Sequence, residues 1–496
     1  MPDERLEFYD PLYETIIFER GLPSAKFPEP AKEDPLDPRD LVRTAEFSRL
    51  AFLRQAGFAW LVFPSATHTR FAHSIGCWWL GRIAETLIKV KIPASKGRDI
   101  TLSLKKWLEK TGLREEFYLA LLFHDIGHGP FSHVLEHNDA FIAGLESAGV
   151  RDTVHEHRGA SLLLGTGIVA ETWRETAAQR YGRRVRTLGE LKEHLATYES
   201  LCIDAVCYLM TSDERYLDNC RHAHRDALYV VKELVSGLLD LDRLDHYARD
   251  SYFSGLRQVS VNVRGFLSNL RVSIPENGKT DPLLSLTHDG ASYAASLLFS
   301  KRQITSTMFR NPKTVAFDAM ANWALTAWVR SLGDKAGGEC SKIAMMEDDQ
   351  LLESIGAAEH PGCRFMARRI RSIRPYALVG RWQKAQVEAA PNAVRVGLEA
   401  LTYGLDEERA PRVLVHFDRS FWADSPPEPR DWLDTGHLSM DGTGELLTDH
   451  PDHAGDFQFL REAERNAYLW VFAQEEDKDR ALKAKVEAIL STGRSS

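Results

Sequence analysis

Phe117-Tyr118-Leu119-Ala120-Leu121-Leu122-Phe123-His124-Asp125-Ile126-Gly127-His128-Gly129-Pro130-Phe131-Ser132-His133-Val134-Leu135-Glu136 opens as an apolar helical run and closes that run on an adjacent His-Asp pair. Gly127, Gly129 and Pro130 then break the helix. The glycines tolerate backbone angles that other residues avoid, and Pro130 suits the first position of a following helix. His128 and His133 lie within the same turn, so three histidines and an aspartate fall within ten residues. Neutral imidazole and carboxylate are good ligands for a divalent first-row metal. Neighbouring helix positions point about 100° apart, so His124 and Asp125 both ligate only when the metal sits at their shared edge. Two further ligands must come from elsewhere. Taken alone, a His-Asp pair at a helix end is more simply two solvated side chains, and the rest of the chain decides between these readings.

The length of 496 residues suggests roughly two to four domain-sized units. Hydrophobic content of 44% and charged content of 27% describe an ordinary globular chain. A net charge of -9 argues against a general nucleic-acid coat, because non-specific binding relies on cationic surface. It leaves room for a local basic pocket that takes a phosphorylated small molecule. The charged start, Met1-Pro2-Asp3-Glu4-Arg5-Leu6, has no apolar signal-peptide core. No apolar run approaches a membrane span. Cys77, Cys202, Cys207, Cys220, Cys340 and Cys363 form no Cys-x-x-Cys pair. The expectation is a cytoplasmic protein with reduced thiols.

Asp10 to Phe18 reads as a short strand or hairpin, and Pro23, Pro28, Pro30, Pro35 and Pro38 mark an extended segment closing a unit at residues 1–40. Helical spacing begins at Leu41 and continues through a helix over Ile75–Val90 and another over Leu102–Leu108. His155-Glu156 leads a helix over Ala160–Leu164. An arginine-rich helical insertion with Arg174, Arg180, Arg183, Arg184 and Arg186 follows, reaching His194 and reading as solvated surface. Leu228 to Asp242 is a strongly apolar helix. Pro275 to Lys279 is a turn between strands over Leu270–Ile274 and Leu283–Leu286. Helices occupy Gly290 to Leu332 and Asp348 to Leu405. Strands are expected at Arg412–Phe417, near Leu438 and Leu446-Leu447, and at Ala467–Phe472, with a last helix over Lys478–Leu490. The expected fold is mainly α: a helical core over 41–275, a helical extension over 276–409 and a small α+β unit over 410–496.

His73, His124-Asp125 and Asp242 together give the order H…HD…D. Around them stand Gln55-Ala56-Gly57, Val62-Phe63-Pro64-Ser65-Ala66, Arg70-Phe71-Ala72-His73-Ser74, the His124–His133 run, His155-Glu156, Asp242-Arg243-Leu244-Asp245 and Arg249-Asp250. This set resembles the HD-domain phosphohydrolases, in particular the deoxynucleoside triphosphate (dNTP) triphosphohydrolase branch. That branch contains the bacterial dGTPases and the animal SAM-and-HD-domain dNTPase. The resemblance is to the HD core without a SAM domain, covers roughly residues 40–330, and extends weakly into the C-terminal unit.

The resemblance implies that His73, His124, Asp125 and Asp242 hold one divalent metal, with Mn, Mg, Fe, Co, Ni and Zn not distinguished. It implies that His128, His133 and His155 surround the scissile phosphate, with His133 protonating the leaving 5′-oxygen. Arg70, Arg243 and Asp250 match positions that contact the triphosphate or its partners, and Gln55 matches the reader of the sugar 3′-hydroxyl. His246 stands where the family has a sugar-side tyrosine. The Ser296–Lys313 helix resembles the base-proximal helix and keeps Arg302 and Lys313, without the tyrosine expected near Phe309 and Arg310. The family also implies a homo-oligomer and an activating nucleotide at a second site, but Arg43, Ser48 and Ala51 do not match the residues that recognise guanine there. The expected activity is metal-dependent release of triphosphate from dNTPs, serving pool balance or phage defence. The rivals are an HD-type phosphodiesterase or nucleotidase, and a nucleotide sensor without turnover.

Overall fold

In the computed structural model the apolar stretch before His124 is a helix, Arg114–Phe123, almost wholly buried, with His124 as its C-cap. Leucines and phenylalanines face the core on every side, as expected of a central helix. The structure describes residues 6–18, 38–92, 99–150, 153–181, 186–189, 201–218, 220, 225–237, 240–256, 261–274, 283–383, 386–387, 394, 397–398, 401, 410–418, 438–440, 468–474 and 480–491. The proline segment from Pro23 to Pro35, Arg183, Arg184, the Pro275–Lys279 turn and Leu446-Leu447 lie outside them.

The fold is mainly α. Helices Arg70–Leu87 and Ile203–Thr211 pack on the central helix, and Leu241–Ser254 packs on Arg70–Leu87 from the other side. The expected hairpin is present: β1 (Leu6–Asp10) pairs antiparallel with β2 (Glu14–Phe18). β3 (Lys89–Ile92), β4 (Ile100–Ser103), β5 (Leu270–Ser273), β6 (Leu283–Leu286) and β9 (Leu438–Met440) make one sheet in the order β4-β3-β5-β6-β9. A second sheet has the order β7-β10-β8, from Ala377–Gln383, Tyr468–Ala473 and Val413–Phe417. It packs with helix Arg480–Ser491 around a small core of Val394, Leu398, Val413, Leu469, Val471, Val486 and Leu490. No helix among the described residues is long and apolar enough to cross a membrane.

Several boundaries differ from the periodicity reading. The helix bearing His73 starts at Arg70, where the Thr69 hydroxyl accepts from Ala72 N, and it ends at Leu87. Lys89–Ile92 and Ile100–Ser103 are strands, so Val90 and Leu102 leave the helices assigned to them, and the short helix is Leu104–Thr111. Segments of four residues are too short for spacing to separate helix from strand, and pairing of β3 with β5 and with β4 decides. Leu228–Asp242 is not one helix. Arg225–Ser236 ends, and Asp240 caps a new helix, Leu241–Ser254, by accepting from Arg243 N at 2.7 Å. Asp242 therefore sits in the first turn of a helix, not at the end of one. Pro130 does not open a helix: a short 3-10 turn, Ser132–Val134, follows with Phe131 as its cap. Ala377–Gln383 is a strand, β7, within the span expected to be helical, and its pairing with β10 decides. In the arginine-rich segment, Gly167–Tyr181 is a helix whose Arg180 pairs with Glu347 at 3.3 Å and lies over the buried Trp173.

Glu46, on the short helix Ala45–Arg49, is buried and accepts from Leu188 N at 3.0 Å. Burial pushes its carboxyl up to about 7 from the usual 4.5. Between those values the unfolded chain releases a proton that the folded chain keeps. Stability therefore falls as pH rises through that window, by on the order of 3 kcal/mol in total. Glu46→Gln should raise the melting temperature near neutral pH and above, and not at about pH 4. A variant-minus-wild-type difference that is flat with pH would contradict this.

Candidate metal centre

Helix Arg70–Leu87 carries His73, the end of Arg114–Phe123 carries His124 and Asp125, and the first turn of Leu241–Ser254 carries Asp242. His73 Nε2 lies 2.9 Å from Asp242 Oδ1 and 3.1 Å from His124 Nε2. Asp125 Oδ2 is 3.9 Å from His73 Nε2, and Asp125 Oδ1 is 3.7 Å from His124 Nε2. His73, His124 and Asp242 therefore converge on one volume, with Cys77 as the fourth potential donor there, and Asp125 lies beside them with its Oδ2 turned to Arg70 Nη1 at 2.7 Å.

The hydrogen bonds behind the ligands set their tautomers. His124 Nδ1 is 2.9 Å from Leu121 O, which can only accept, so Nδ1 holds the proton and Nε2 presents a lone pair. His73 Nδ1 likewise donates to Asp245 Oδ2 at 2.7 Å. The His124 lone pair, His73 Nε2 and the Asp242 carboxylate then meet, and a proton on His73 Nε2 or a bound divalent cation can join them. Burial pulls the pKa of His73 down, but the Cys77 thiol and the Asp242 and Asp245 carboxylates overcome this and raise it. Burial likewise opposes ionisation of Asp125, and Arg70, His124 and His73 more than offset it. Two nitrogens and two carboxylates fit a divalent first-row metal. Cys77, one turn beyond His73, adds a buried sulfur 3.6 Å from His73 Nδ1.

The turn after Asp125 is held by arginines. Arg49 Nη2 donates to Ile126 O at 2.9 Å and His128 O at 2.6 Å, and Arg158 Nε donates to Gly127 O at 3.0 Å. Buried carbonyls need such partners. Left-handed angles fall not on the glycines but on Phe131 (φ 57°) and Ser132 (φ 59°). Each such residue costs about 1–3 kcal/mol. The Asp348 carboxylate secures the bend by accepting from Phe131 N at 2.8 Å. Gly127 is required for space: a Cβ there would stand 2.1 Å from His155 O.

A second cluster adjoins the first. His128 Nε2 is 3.5 Å from Asp125 Oδ1, and its ring stacks on His155 with centroids 3.6 Å apart. Burial, with Arg70 and His155 nearby, lowers the His128 pKa and keeps the ring neutral. Glu136 accepts from His133 Nδ1 at 2.8 Å and from His155 Nδ1 at 2.7 Å, leaving the second nitrogen of each ring for another partner. Burial opposes charge on His155, and Glu136 outweighs it, raising the pKa. The His133 side chain is 52% exposed, whereas that of His128 is 2% exposed, so His133 is the more open to a ligand.

The chain has been compared with known proteins. No family model matches it. It is 30% identical over 233 residues to the deoxynucleoside triphosphate triphosphohydrolase SAMHD1 of Danio rerio, covering 47% of this chain and 33% of that protein. It is 30% identical over 213 residues to a putative HD domain-containing protein of Acanthamoeba polyphaga mimivirus, covering 42% of this chain and 38% of that protein. An uncharacterized protein of Methanocaldococcus jannaschii is 24% identical over 322 residues, 65% of this chain and 52% of that protein. Over about half its length the chain is thus similar to HD-domain proteins, dNTP triphosphohydrolases among them. It spans about a third of the length of the first relatives it matches.

The remaining residues singled out in the sequence lie around the centre at different depths. Arg70 Nη1 donates to Asp125 at 2.7 Å and Nη2 to Ser132 Oγ at 2.9 Å. The His246 ring stands 6.1 Å from that of His73 and stacks on Phe309 at 6.0 Å. Asp250 is fully buried, 2.7 Å from His68 Nε2 and 3.1 Å from His246 Nδ1. Gln55 is buried, and among the described residues its Oε1 has no hydrogen-bond partner. Arg243 donates to Gly237 O and pairs with Asp240 at 3.3 Å, closing the helix break. Arg302 is half-buried in the last turn of His288–Ile304. Residues not singled out as site residues include Asp245, Arg249, Glu136, His68 and Cys77. A signal was present for some of them: Asp242, Asp245, His246 and Arg249 have the i, i+3, i+4, i+7 spacing of a buried helix face, and charges on such a face have inward partners.

Proposed function

We propose that this chain hydrolyses dNTPs to a deoxynucleoside and inorganic triphosphate, with a divalent metal held by His73, His124, Asp125 and Asp242. The observation that supports the reading is the convergence of His73, His124 and Asp242, with Asp125 beside them, next to a separate, Glu136-held set of histidines. When bound, the metal supplies Lewis-acid activation of water and of a phosphoryl oxygen. Arg70, Arg243 and Arg302 are the cations that meet a triphosphate, which needs charge-assisted partners. Gln55, with its unpartnered buried oxygen, accepts from the sugar 3′-hydroxyl, and His246 borders the sugar. Water attacks the α-phosphorus, the bond to the 5′-oxygen breaks, and His133 delivers a proton to that oxygen. Asp250 holds His68 and His246 in place, while His128 and His155 line the phosphate.

His133→Gln should lower kcat by roughly 10²–10⁴-fold, the usual worth of a general acid, with metal content unchanged. A kcat within threefold of wild type, measured at saturating substrate, would remove His133 from that role.

The test of the function is incubation with each of the four dNTPs, singly and mixed, with Mn²⁺ or Mg²⁺, followed by chromatography. Triphosphate and deoxynucleoside are expected, with ribonucleotides poor substrates. Stepwise diphosphate and monophosphate would indicate a nucleotidase instead, and binding without turnover a sensor. Regulation belongs to the same proposal: a homo-oligomer whose activity rises with a second nucleotide, in the cytoplasm, in pool control or antiviral defence. The activator need not be guanine, since Arg43, Ser48 and Ala51 differ from that pattern. Tenfold activation needs about 1.4 kcal/mol of preferential binding to the active assembly. Equal rates for each dNTP alone and in mixture, at constant oligomer mass, would remove the regulatory part only.

A further inference from the structure

The β1–β2 hairpin lies far in sequence from every ligand of the centre, yet it packs on the helix that bears His73. Phe18 stacks on Trp78 with centroids 4.3 Å apart, and Phe8 meets Phe71 edge-on at 5.6 Å. These aromatics flank His73 on both sides along helix Arg70–Leu87.

Polar contacts then run from the hairpin to the imidazole. Asp10 Oδ2 accepts from Arg249 Nη1 at 2.7 Å, and both are buried. Arg249 grips Asp245 by two bonds, Nε to Oδ2 at 2.8 Å and Nη2 to Oδ1 at 2.9 Å. Tyr13 donates its hydroxyl to Asp245 Oδ1 at 2.8 Å. Asp245 Oδ2 then receives His73 Nδ1 at 2.7 Å. Space is kept for this group: a Cβ on Gly76 would stand 2.2 Å from Asp245 Oδ1 and 2.4 Å from Arg249 Nη2. Asp245 and Arg249 are each 0% exposed, so no solvent can replace a lost partner.

We propose that the N-terminal hairpin is a built part of the metal centre, with Asp10 and Tyr13 as positioning residues that fix the His73 imidazole through Arg249 and Asp245. A carboxylate behind a ligating histidine sets the tautomer and aim of the ring, and loss of such partners commonly weakens metal affinity about 10–100-fold. Here the carboxylate is itself aimed from two sides. One hairpin turn supplies both contacts, because Asp10 Oδ1 also accepts from Leu12 N at 2.9 Å and Tyr13 N at 3.2 Å. The proposal rests on the reading of His73 as a ligand, and its test separates the two.

Tyr13→Phe keeps the ring and deletes one hydroxyl, and Asp10→Asn keeps the turn and weakens the Arg249 contact. Both are made in the full chain, with Tyr9→Ala on the 83% exposed face of the same hairpin as control. Mn²⁺ affinity is measured by competition with a chelator. About tenfold weaker binding in each variant, with the control at the wild-type value, is expected. Affinities within twofold of wild type in both variants would overturn the proposal. Melting temperatures of the metal-free protein give a second reading through a cycle of Tyr13→Phe and His73→Ala. If Tyr13 acts on His73, its melting shift shrinks in the His73→Ala background, whereas an equal shift in both backgrounds marks a purely local hairpin contact and overturns the proposal. A wild-type protein that takes up no Mn²⁺, or any other divalent first-row metal, sinks the ligand reading itself, and the melting cycle then decides the strap alone.

Discussion

Asp242→Ala is expected to abolish both metal uptake and the proposed nucleotide hydrolysis while the protein melts close to the wild-type temperature. The side chain of Asp242 is 37% exposed and meets His73 and His124 at 2.9 and 3.6 Å. Its removal takes one of four donors from the centre and leaves the Asp245–Arg249 pair untouched. A site whose energy comes from a complete ligand set loses most of its affinity when one ligand goes. Asp125→Ala should give the same loss of metal with a different effect on stability. The Arg70–Asp125 pair is buried, with side-chain exposures of 3% and 5%. Stripping the carboxylate leaves a guanidinium with Ser132 as its remaining neutral partner, and breaking a buried pair from one side costs about 3–5 kcal/mol. Elemental analysis of the purified variants and product chromatography read the first effect, and thermal melting separates the two substitutions. Wild-type metal content in Asp242→Ala would sink the ligand assignment.

Gly127→Ala should be the most damaging small substitution in the chain, although it adds one methyl group. That methyl would stand 2.1 Å from His155 O and 2.3 Å from Gly159 N. Both are backbone atoms of helix His155–Leu164, so no rotamer change relieves the overlap. Either the helix moves off the turn, or the turn that positions His128 opens. Overpacking typically costs about 1–3 kcal/mol where side chains can adjust, and this site should lie at or above that range. His155 would leave its stack on His128, so activity should fall with stability. A melting temperature equal to wild type would show that the contact is looser than described. The resident backbone angle at Gly127 is not left-handed, so close approach alone makes the prediction.

The sequence determined the metal centre more fully than the architecture around it. His73, His124, Asp125 and Asp242 could be singled out from the order H…HD…D and the resemblance it carries, and the structure brings His73, His124 and Asp242 together. The central helix was legible because an uninterrupted apolar run at helical length has one economical state. A strand or hairpin was legible over Asp10–Phe18, although its first strand lies before Asp10, and the strand near Val413 followed from alternation.

Tertiary structure decided the rest. The break before Asp240 was invisible to hydrophobic spacing, because both flanking helices are apolar on one face, and the cap depends on one side chain folding back on Arg243 N. Val90 became strand because β5, far along the chain, offered an edge to pair with, and Leu102 pairs in turn with Val90. Local propensity cannot register a partner that distant. Gly127 looked like a flexible position and proved to be a contact with a helix nearly thirty residues on. The roles of Arg249, Asp10 and Tyr13 were likewise beyond a motif reading: Asp10 and Arg249 are 239 positions apart. Ligand identity is a property of side-chain chemistry and is written in the chain. The aim of each ligand is set by buried charges brought together only when the helices pack, and that belongs to the fold.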